Sequence, residues 1–409
     1  MTDQIPPLEP TKDNGDEPSD SRRFFEDITG INVDWRTALM VPFLAILSAL
    51  IVGAFVMVMT DIDILKKWPK NPGGAAADSW DLIYSAYQAL AKGAFGSVGA
   101  WSETVIAATP LVFAGLAVAI GFRAGLFNIG GQGQLIMGGM LATIVGFQFA
   151  SPSFIHIPLA LFAGVLGGAI WGGIPGILRA RTGAHEVITT IMMNFIALFL
   201  MNWALKTSFV RVEDRIDPLS KVIETSAKLP RLLAWLDRPE LRIHAGFLVA
   251  LLVAGVIWWL LFRSTIGYEF RATGFNPDAA RYAGINVNRT YVMVMAVAGA
   301  AAGLAGASEV MGLHHRLFSG FQGTIGFDAI ALALLGRSHP AGVVAASLLF
   351  GALKAGGRQM QAATDIPIDL ILVVQALVII FIAAPALIRA IYRVRTGEGT
   401  GVVTRGWST

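Results

Sequence analysis

The chain reads Ser264-Thr-Ile-Gly-Tyr-Glu-Phe-Arg-Ala-Thr-Gly-Phe-Asn-Pro-Asp-Ala-Ala-Arg-Tyr-Ala-Gly-Ile-Asn-Val-Asn-Arg-Thr290 between two long apolar runs. In this polar, basic stretch Asn276 is a good helix N-cap, Pro277 suits the first helical turn, and Gly284 can take the left-handed conformation that ends a helix. The pattern predicts a helix of about two turns, which is marginal in water without a partner surface. Such a helix could dock a soluble motor on a membrane domain; an ordinary capped connector is the alternative that the spacing leaves open.

The composition indicates a membrane protein. Of 409 residues, 55% are hydrophobic and 14% charged, and the mean hydropathy is +0.62. Apolar runs of about 18 residues or more, the length that crosses a bilayer, occur at 38–60, 103–121, 127–148, 157–178, 186–205, 244–262, 291–311 and 367–388. Two shorter runs, 325–336 and 341–356, are candidates for half-helices. We therefore expect an all-α polytopic integral membrane protein of about ten transmembrane helices, some short or broken.

The distribution of arginine orients the predicted spans. If the N-terminus is cytoplasmic, the short connectors on that side hold most of the basic residues: Arg123, Arg179, Arg181, Arg263, Arg271, Arg281, Arg289, Arg337, Arg389, Arg393 and Arg395. The positive-inside rule then places both termini in the cytoplasm, and a long basic external connector is compatible with it because long translocated loops are largely exempt. The first 37 residues are polar and acidic and lack a cleavable signal pattern, so the first apolar run is expected to act as a signal anchor.

The composition also divides the chain into regions. We expect a disordered acidic cytoplasmic tail at 1–36, a transmembrane domain at 37–390 with a cytoplasmic loop at 264–290 and external loops at 61–100 and 206–243, and a cytoplasmic C-terminal tail at 391–409. In the first external loop, the half that contains Pro72, Gly73 and Gly74 is predicted to be irregular and the rest to be a surface helix. Two sizeable external loops suggest a docking face for an external partner, although unstructured connectors are equally common.

Amides among glycines mark a candidate solute path. The stretch Phe122-Arg-Ala-Gly-Leu-Phe-Asn-Ile-Gly-Gly-Gln-Gly-Gln134 carries Asn128, Gln132 and Gln134. Glycine-interrupted membrane helices expose backbone, and amides both donate and accept hydrogen bonds, which suits a neutral polar solute. The alternative is that the glycines allow close helix packing and the amides bond across helices.

Other polar residues in the spans are weaker candidates. Asn194 lies about two turns below Glu186 on one helix face and either lines a path or bridges helices, while Glu186 suits a helix N-terminus. Thr189 stands where a zinc protease motif beginning at His185 would need its second histidine, so no metal or catalytic site is predicted. Glu309 and Asp328 lie near predicted span ends and are path candidates if they are buried.

Several motifs together resemble a known family. They are Ser102-Glu-Thr, Phe122-Arg-Ala-Gly-Leu-Phe-Asn-Ile-Gly-x-x-Gly-Gln134, Glu186-Val-Ile-x-Thr-Ile-Met-x-Asn194 and Gly267-x-x-x-Arg-Ala-x-Gly-x-Asn-x-x-Ala-Ala-x-x-Ala-Gly-Ile285. They are similar to the permeases of bacterial ABC importers in the branched-chain amino acid and simple-sugar group, and most similar to the nucleoside permeases. Gly131-Gln132 replaces a more acidic pair expected in that family.

The resemblance implies a multi-pass subunit of the bacterial inner membrane, surrounded by lipid and without a nucleic-acid partner. It implies a cytoplasmic ATP-binding subunit that holds ATP and magnesium, a second homologous permease and an external substrate-binding lipoprotein. The coupling residues would be Arg271, Gly274, Asn276, Pro277, Ala279, Ala280, Arg281 and Gly284. No lysine in the chain follows a glycine, so the phosphate-binding Gly-Lys-Ser/Thr motif is missing and no cofactor is expected in this chain.

The expected function is therefore a non-catalytic permease for a small neutral polar solute, most similar to those for nucleosides. A simple-sugar or branched-chain amino acid permease is the nearest alternative. An ion-coupled secondary transporter is a further one, but it would be expected to bury carboxylates in mid-span, where this sequence offers amides.

Overall fold

The computed structural model describes residues 35–213, 217–364, 366 and 368–392. The chain divides into two compact units, Met1–Met40 and Val41–Thr409. In the first unit only the helical residues from Trp35 are described. The predicted tails at 1–36 and 391–409 therefore fall outside the described residues, except for helical residues at 35–36 and 391–392.

Helices make up most of the described chain. In order they are α1 (Trp35–Thr60), α2 (Ile62–Lys67), α3 (Pro72–Phe95), α4 (Val98–Arg123), α5 (Gly131–Gln148), α6 (Ser153–Thr182), α7 (Glu186–Ala204), α8 (Gly246–Arg263), α9 (Thr265–Phe275), α10 (Pro277–Tyr282), α11 (Val287–Ser308), α12 (Ile325–Leu335), α13 (Pro340–Thr364), α14 (Ile368–Ala383) and α15 (Pro385–Tyr392). A π-helical turn, Glu309–His314, extends α11, and single 3-10 turns occur at Thr225–Ala227 and Ala234–Leu236.

Seven described helices are long and apolar enough to cross a membrane: Phe43–Thr60 of α1, then α4, α6, α7, α8, α11 with its π-helical turn, and α13. Two shorter apolar helices are α12 and Leu372–Phe381 of α14. The prediction of an all-α polytopic membrane protein is confirmed, whereas the number of about ten spans stays a prediction.

Three predicted spans differ from the helices. The run at 127–148 is helical only from Gly131, because a glycine-rich break precedes α5. The run at 341–356 is the apolar part of a longer helix, α13. The more polar end of that helix continues to Thr364. The run at 367–388 is interrupted at Ala384, between α14 and α15.

Helix α4 lies at the centre of the bundle. Of its membrane-length window, 83% is buried, and every residue from Leu111 to Ile120 is enclosed. Helices α6 and α11 cross beside it through glycines: a Cβ built on Gly168 would lie 2.0 Å from the backbone oxygen of Gly299. Only glycine permits such close approach of two helix backbones in a membrane.

The connector at 61–100, predicted to be external, is more helical than expected. Its irregular first half was expected to include Pro72, Gly73 and Gly74, but α3 begins at Pro72. The reason is a local cap: the Asn71 side chain accepts a hydrogen bond from Gly74 N (3.0 Å), and proline suits the first helical position.

The connector at 206–243, predicted to be external, is mostly irregular and is anchored to the bundle. The Ser102 hydroxyl accepts hydrogen bonds from the backbone N–H groups of Arg242 and Ile243. The Arg242 guanidinium donates to both oxygens of Glu103 (2.7 and 2.8 Å), and Arg358 donates to the same carboxylate (3.1 Å).

Candidate functional site

The break between α4 and α5 is a compact, hydrogen-bonded turn. Gly125 has φ +70°, a conformation that favours glycine, and Leu126 N donates to Gly121 O (2.9 Å). Asn128 Oδ1 then accepts from Gly130 N (2.9 Å). These bonds satisfy backbone groups that would otherwise be unpaired inside a membrane domain.

Three predicted amides meet beside this break. Asn128 and Gln134 exchange two side-chain hydrogen bonds of 3.1 Å each. Asn194, from α7, accepts from Gly133 N (2.8 Å) and donates to Ile129 O (2.9 Å). All three side chains are buried. In this conformation the hydrogen bonds of Asn194 connect the break to α7.

Gln132 connects the same break to a second one. Its Nε2 donates to Gly323 O (2.6 Å), and its Oε1 accepts from Gly326 N (2.8 Å). The N-termini of α5 and α12 therefore meet through one side chain. Paired half-helix ends of this kind are typical of solute sites in transporters.

The two predicted carboxylates lie in different surroundings. Asp328 forms an ion pair with Lys354 Nζ of α13 (2.7 Å) and accepts from the Thr324 hydroxyl (2.9 Å). Sequence reasoning missed Lys354; its position inside a run that turns from apolar to polar was the available signal. Glu309 instead lies 3.1 Å from His314 Nε2, in the π-helical turn.

The turn around Glu309 is hydrogen-bonded to the connector at 206–243. Leu229 N donates to Met311 O (3.0 Å), and Ile223 N donates to His315 O (3.0 Å). Burial, and then the neighbouring His315, lowers the pKa of His244 to about 4, so His244 is neutral near pH 7. None of the hydrogen bonds found among the described residues joins Glu309 to the amide cluster, which consists of Asn128, Gln132, Gln134 and Asn194.

The predicted short helix is present as α10. Asn276 Oδ1 accepts from the backbone N–H groups of Asp278 and Ala279 (3.0 Å each), and Gly284 has φ +85°. The Asn276 cap, the Pro277 start and the glycine stop are thus confirmed. Arg281 pairs with Asp278 on the exposed side (2.6 Å), and the Arg271 side chain donates to Gly267 O in α9 (3.4 Å).

Ala280 holds α10 against the bundle, because it is only 3% exposed. Two aromatic side chains flank α10 and face outward: Phe275, the last residue of α9, is 85% exposed, and Tyr282, the last residue of α10, is 96% exposed. Sequence reasoning did not single them out. Their exposure leaves both rings available to contact another surface.

Gly274 connects this segment to the amide cluster. A Cβ built on Gly274 would lie 2.5 Å from Arg123 O and 2.8 Å from Gly125 N. The end of α9 therefore rests directly on the turn whose other end carries Asn128. Because the two backbones are close-packed, a movement of α9 and α10 would also displace that turn.

The cross-helix role of Asn194 has a stability consequence. Replacing Asn194 with alanine is expected to lower the unfolding free energy by about 1–3 kcal/mol, because Gly133 N and Ile129 O would be left buried and unpaired. Asn202→Ala is the matched control, since Asn202 is half-buried on the same helix and has no hydrogen bond to the described residues. Thermal unfolding in detergent measures both. Unchanged stability with reduced uptake would instead favour direct contact with solute.

Taken together, the bundle, its paired half-helix breaks and the capped helix α10 are the features of a multi-pass membrane permease. The family model described as branched-chain amino acid transport system / permease component matches residues 101–383, and the chain belongs to that family. It is thus the membrane subunit of an ABC importer and does not itself hydrolyse ATP.

Three relatives cover most of the chain. The guanosine ABC transporter permease protein NupP of Bacillus subtilis is 40% identical over 86% of this chain and 94% of its own length. The nucleoside ABC transporter permease protein NupB of Lactococcus lactis is 34% identical over 85% and 92%, and the glucose ABC transporter permease protein TsgB13 of Haloferax volcanii is 32% identical over 83% and 86%. The chain also matches NupQ and NupC, permeases named for the same two nucleoside systems. No solved structure gives a significant match.

Proposed function

We propose that this chain is the permease of an ATP-driven importer of nucleosides in the bacterial cell membrane, with both termini in the cytoplasm. The observation that carries the proposal is the 40% identity with a guanosine permease over 86% of the chain. A sugar permease is the second candidate, because a glucose permease is 32% identical. The family description keeps branched-chain amino acids as a third solute class.

The proposed complex contains three further kinds of subunit. A cytoplasmic ATP-binding subunit would hold ATP and magnesium and receive α10, and an external substrate-binding lipoprotein would contact the loops at 61–100 and 206–243. A second homologous permease would complete the membrane core. The pairs NupP with NupQ and NupB with NupC support two different permeases in one complex.

In the proposed mechanism, movement of the ATP-binding subunit shifts α10 and α9 together. Gly274 passes that shift to the turn at Gly125, since the two backbones touch. The turn carries Asn128, whose amide pair with Gln134 and link through Asn194 would open or re-form as the path changes access. Gln132 would relay the same shift to α12.

Six residues are proposed to act along the path, and they divide by surroundings. Asn128, Gln134 and Asn194 are gating residues that bond one another or nearby backbone, and Gln132 and Asp328 lie at the half-helix breaks. Glu309 lies at the external connector and is proposed to act where solute enters from the binding protein.

Reconstitution in vesicles tests the function. The chain with its ATP-binding subunit, second permease and external binding protein is expected to accumulate labelled guanosine only when ATP is supplied. The chain alone is expected to bind no ATP and to accumulate nothing under a proton or sodium gradient, because it lacks a Gly-Lys-Ser/Thr motif.

Competition identifies the solute class. An excess of unlabelled nucleoside should suppress uptake, while glucose and leucine should not. Gradient-driven accumulation by the chain alone would overturn the proposal in favour of a secondary transporter, and accumulation of glucose but no nucleoside would favour the sugar permease.

A further inference from the structure

The ion pair between Asp328 and Lys354 joins α12 to α13. Helices α12 and α13 meet at their connected ends, where a Cβ on Gly336 would lie 2.4 Å from Val343 N. Arg123 Nε donates to Ser338 O in the loop between them (3.0 Å), and Val343 itself packs on Gly115, about two turns before Arg123 in α4. From Gly336, Asp328 lies eight residues back along α12, which is about 12 Å at 1.5 Å per residue.

Lys354 reaches the same depth from the other helix. It lies eleven residues beyond Val343, about 16 Å along α13, and a helical side chain leans toward the N-terminus of its helix. The ammonium group thus returns to the level of Asp328. The pair thus lies within the span, between the level of Val343, which packs on Gly115, and that of Gly351, which packs on Thr104.

This pair is not fully enclosed. The side chain of Lys354 is 23% exposed and that of Asp328 is 17% exposed. Charged groups on a membrane-spanning helix such as α13 face a protein partner or a water-filled cavity, because exposure to lipid tails is costly. The surface that contains Asp328 and Lys354 is therefore not a lipid-facing surface.

The pair keeps free hydrogen-bonding capacity. Asp328 uses Oδ2 for both Lys354 and Thr324, and among the described residues Oδ1 accepts no hydrogen bond. An ammonium group has three donors, of which Asp328 occupies one. A free carboxylate oxygen beside free ammonium donors complements two neighbouring hydroxyls, one of which donates while the other accepts.

The same turn holds a further unsatisfied acceptor. Gln322 Oε1 is buried and has no hydrogen-bond partner among the described residues. It lies two residues before Thr324, which is itself exposed. Buried polar atoms without a partner are rare in stable proteins and often belong to a functional site.

We propose that Asp328 and Lys354 bind the vicinal hydroxyls of the ribose as the solute crosses the membrane. The carboxylate accepts from one hydroxyl and the ammonium group donates to the other. Because Lys354 neutralises Asp328, the site is suited to a neutral diol rather than to a cation. This inference rests on the proposed nucleoside function and assigns a role to Lys354, which no motif marks.

The test compares guanosine with 2′-deoxyguanosine in the reconstituted complex. Each solute is supplied on saturating, loaded external binding protein, so that the transport rate reports steps inside the membrane. The intact complex is expected to move guanosine about tenfold faster, because a hydrogen bond to a charged group is lost with the 2′-hydroxyl. Asp328→Asn and Lys354→Met are each expected to slow guanosine about tenfold and to bring the two rates together, with the apparent KM unchanged.

The double variant Asp328→Asn/Lys354→Met covers the case in which a single change leaves an unpaired charge and prevents folding. Arg358→Gln is the matched control: it removes a cation one turn further along α13, where Arg358 pairs with Glu103 at the external connector. This control should keep the preference for guanosine.

Three results would overturn the inference. They are equal rates for the two nucleosides in the intact complex, an unchanged preference in the double variant, and loss of the second permease from the purified variant complex, which would make the pair a subunit contact. Failure of the intact complex to move either nucleoside would count against the proposed function itself.

Discussion

Replacing Phe275 and Tyr282 with alanine is expected to abolish ATP-driven uptake while the chain still inserts and folds. The two aromatic side chains are 85% and 96% exposed, so their removal costs the isolated chain little packing. On a docked surface, buried aromatic anchors are worth about 2 kcal/mol or more each, so losing both weakens binding by about a thousandfold. Co-purification of the ATP-binding subunit and ATP-dependent uptake in vesicles measure the effect.

Trp235→Ala is the matched control for this experiment. Trp235 is 77% exposed but lies in the connector at 206–243, on the proposed external side. It should leave binding of the ATP-binding subunit unchanged. Normal uptake and full retention of that subunit by the double alanine variant would show that α10 is only a capped connector.

Ala280 is less suitable for this test, although it belongs to the motif from Gly267 to Ile285 that resembles the permease family. Since Ala280 is 3% exposed, a bulky acidic side chain there would disturb the contact between α10 and the bundle. Lost uptake would then not separate folding from coupling. The aromatic pair separates them, because both rings point away from the protein.

Features encoded by neighbouring residues could be predicted from the sequence. The Asn276 cap, the Pro277 start and the Gly284 stop act within one short segment, and α10 forms as expected. The long apolar runs likewise correspond to helices, because length and hydropathy suffice to define them. The start of α3 differs from the prediction: Gly73 and Gly74 suggested a loop, but the Asn71 cap starts a helix that includes both glycines.

Pairings between distant segments could not be predicted in this way. Amides at 128, 132, 134 and 194 were recognisable, but which of them bond one another depends on how α5, α7 and α12 pack. The sequence does not show how α12, which carries Asp328, packs on α13. For the same reason Lys354 was not recognised as its partner.

The crossing of α6 and α11 gives the largest expected effect on folding. Gly168→Leu is expected to prevent assembly of the bundle, and Gly168→Ala to lower the unfolding free energy by about 3 kcal/mol, at the upper end of overpacking costs. The physical reason is reciprocal contact: a Cβ on Gly168 would lie 2.0 Å from Gly299 O, and one on Gly299 would lie 2.1 Å from Gly168 O. Backbone atoms cannot rotate away, so the helices must separate along their length.

Gly173→Ala is the control on the same helix, because a Cβ there has no atom within 4 Å to meet. It should keep or slightly raise stability, since alanine is the better helix former. Thermal unfolding and gel filtration of detergent-purified protein compare the three variants. Equal stability of Gly168→Ala and Gly173→Ala would mean that α6 and α11 do not approach at these glycines.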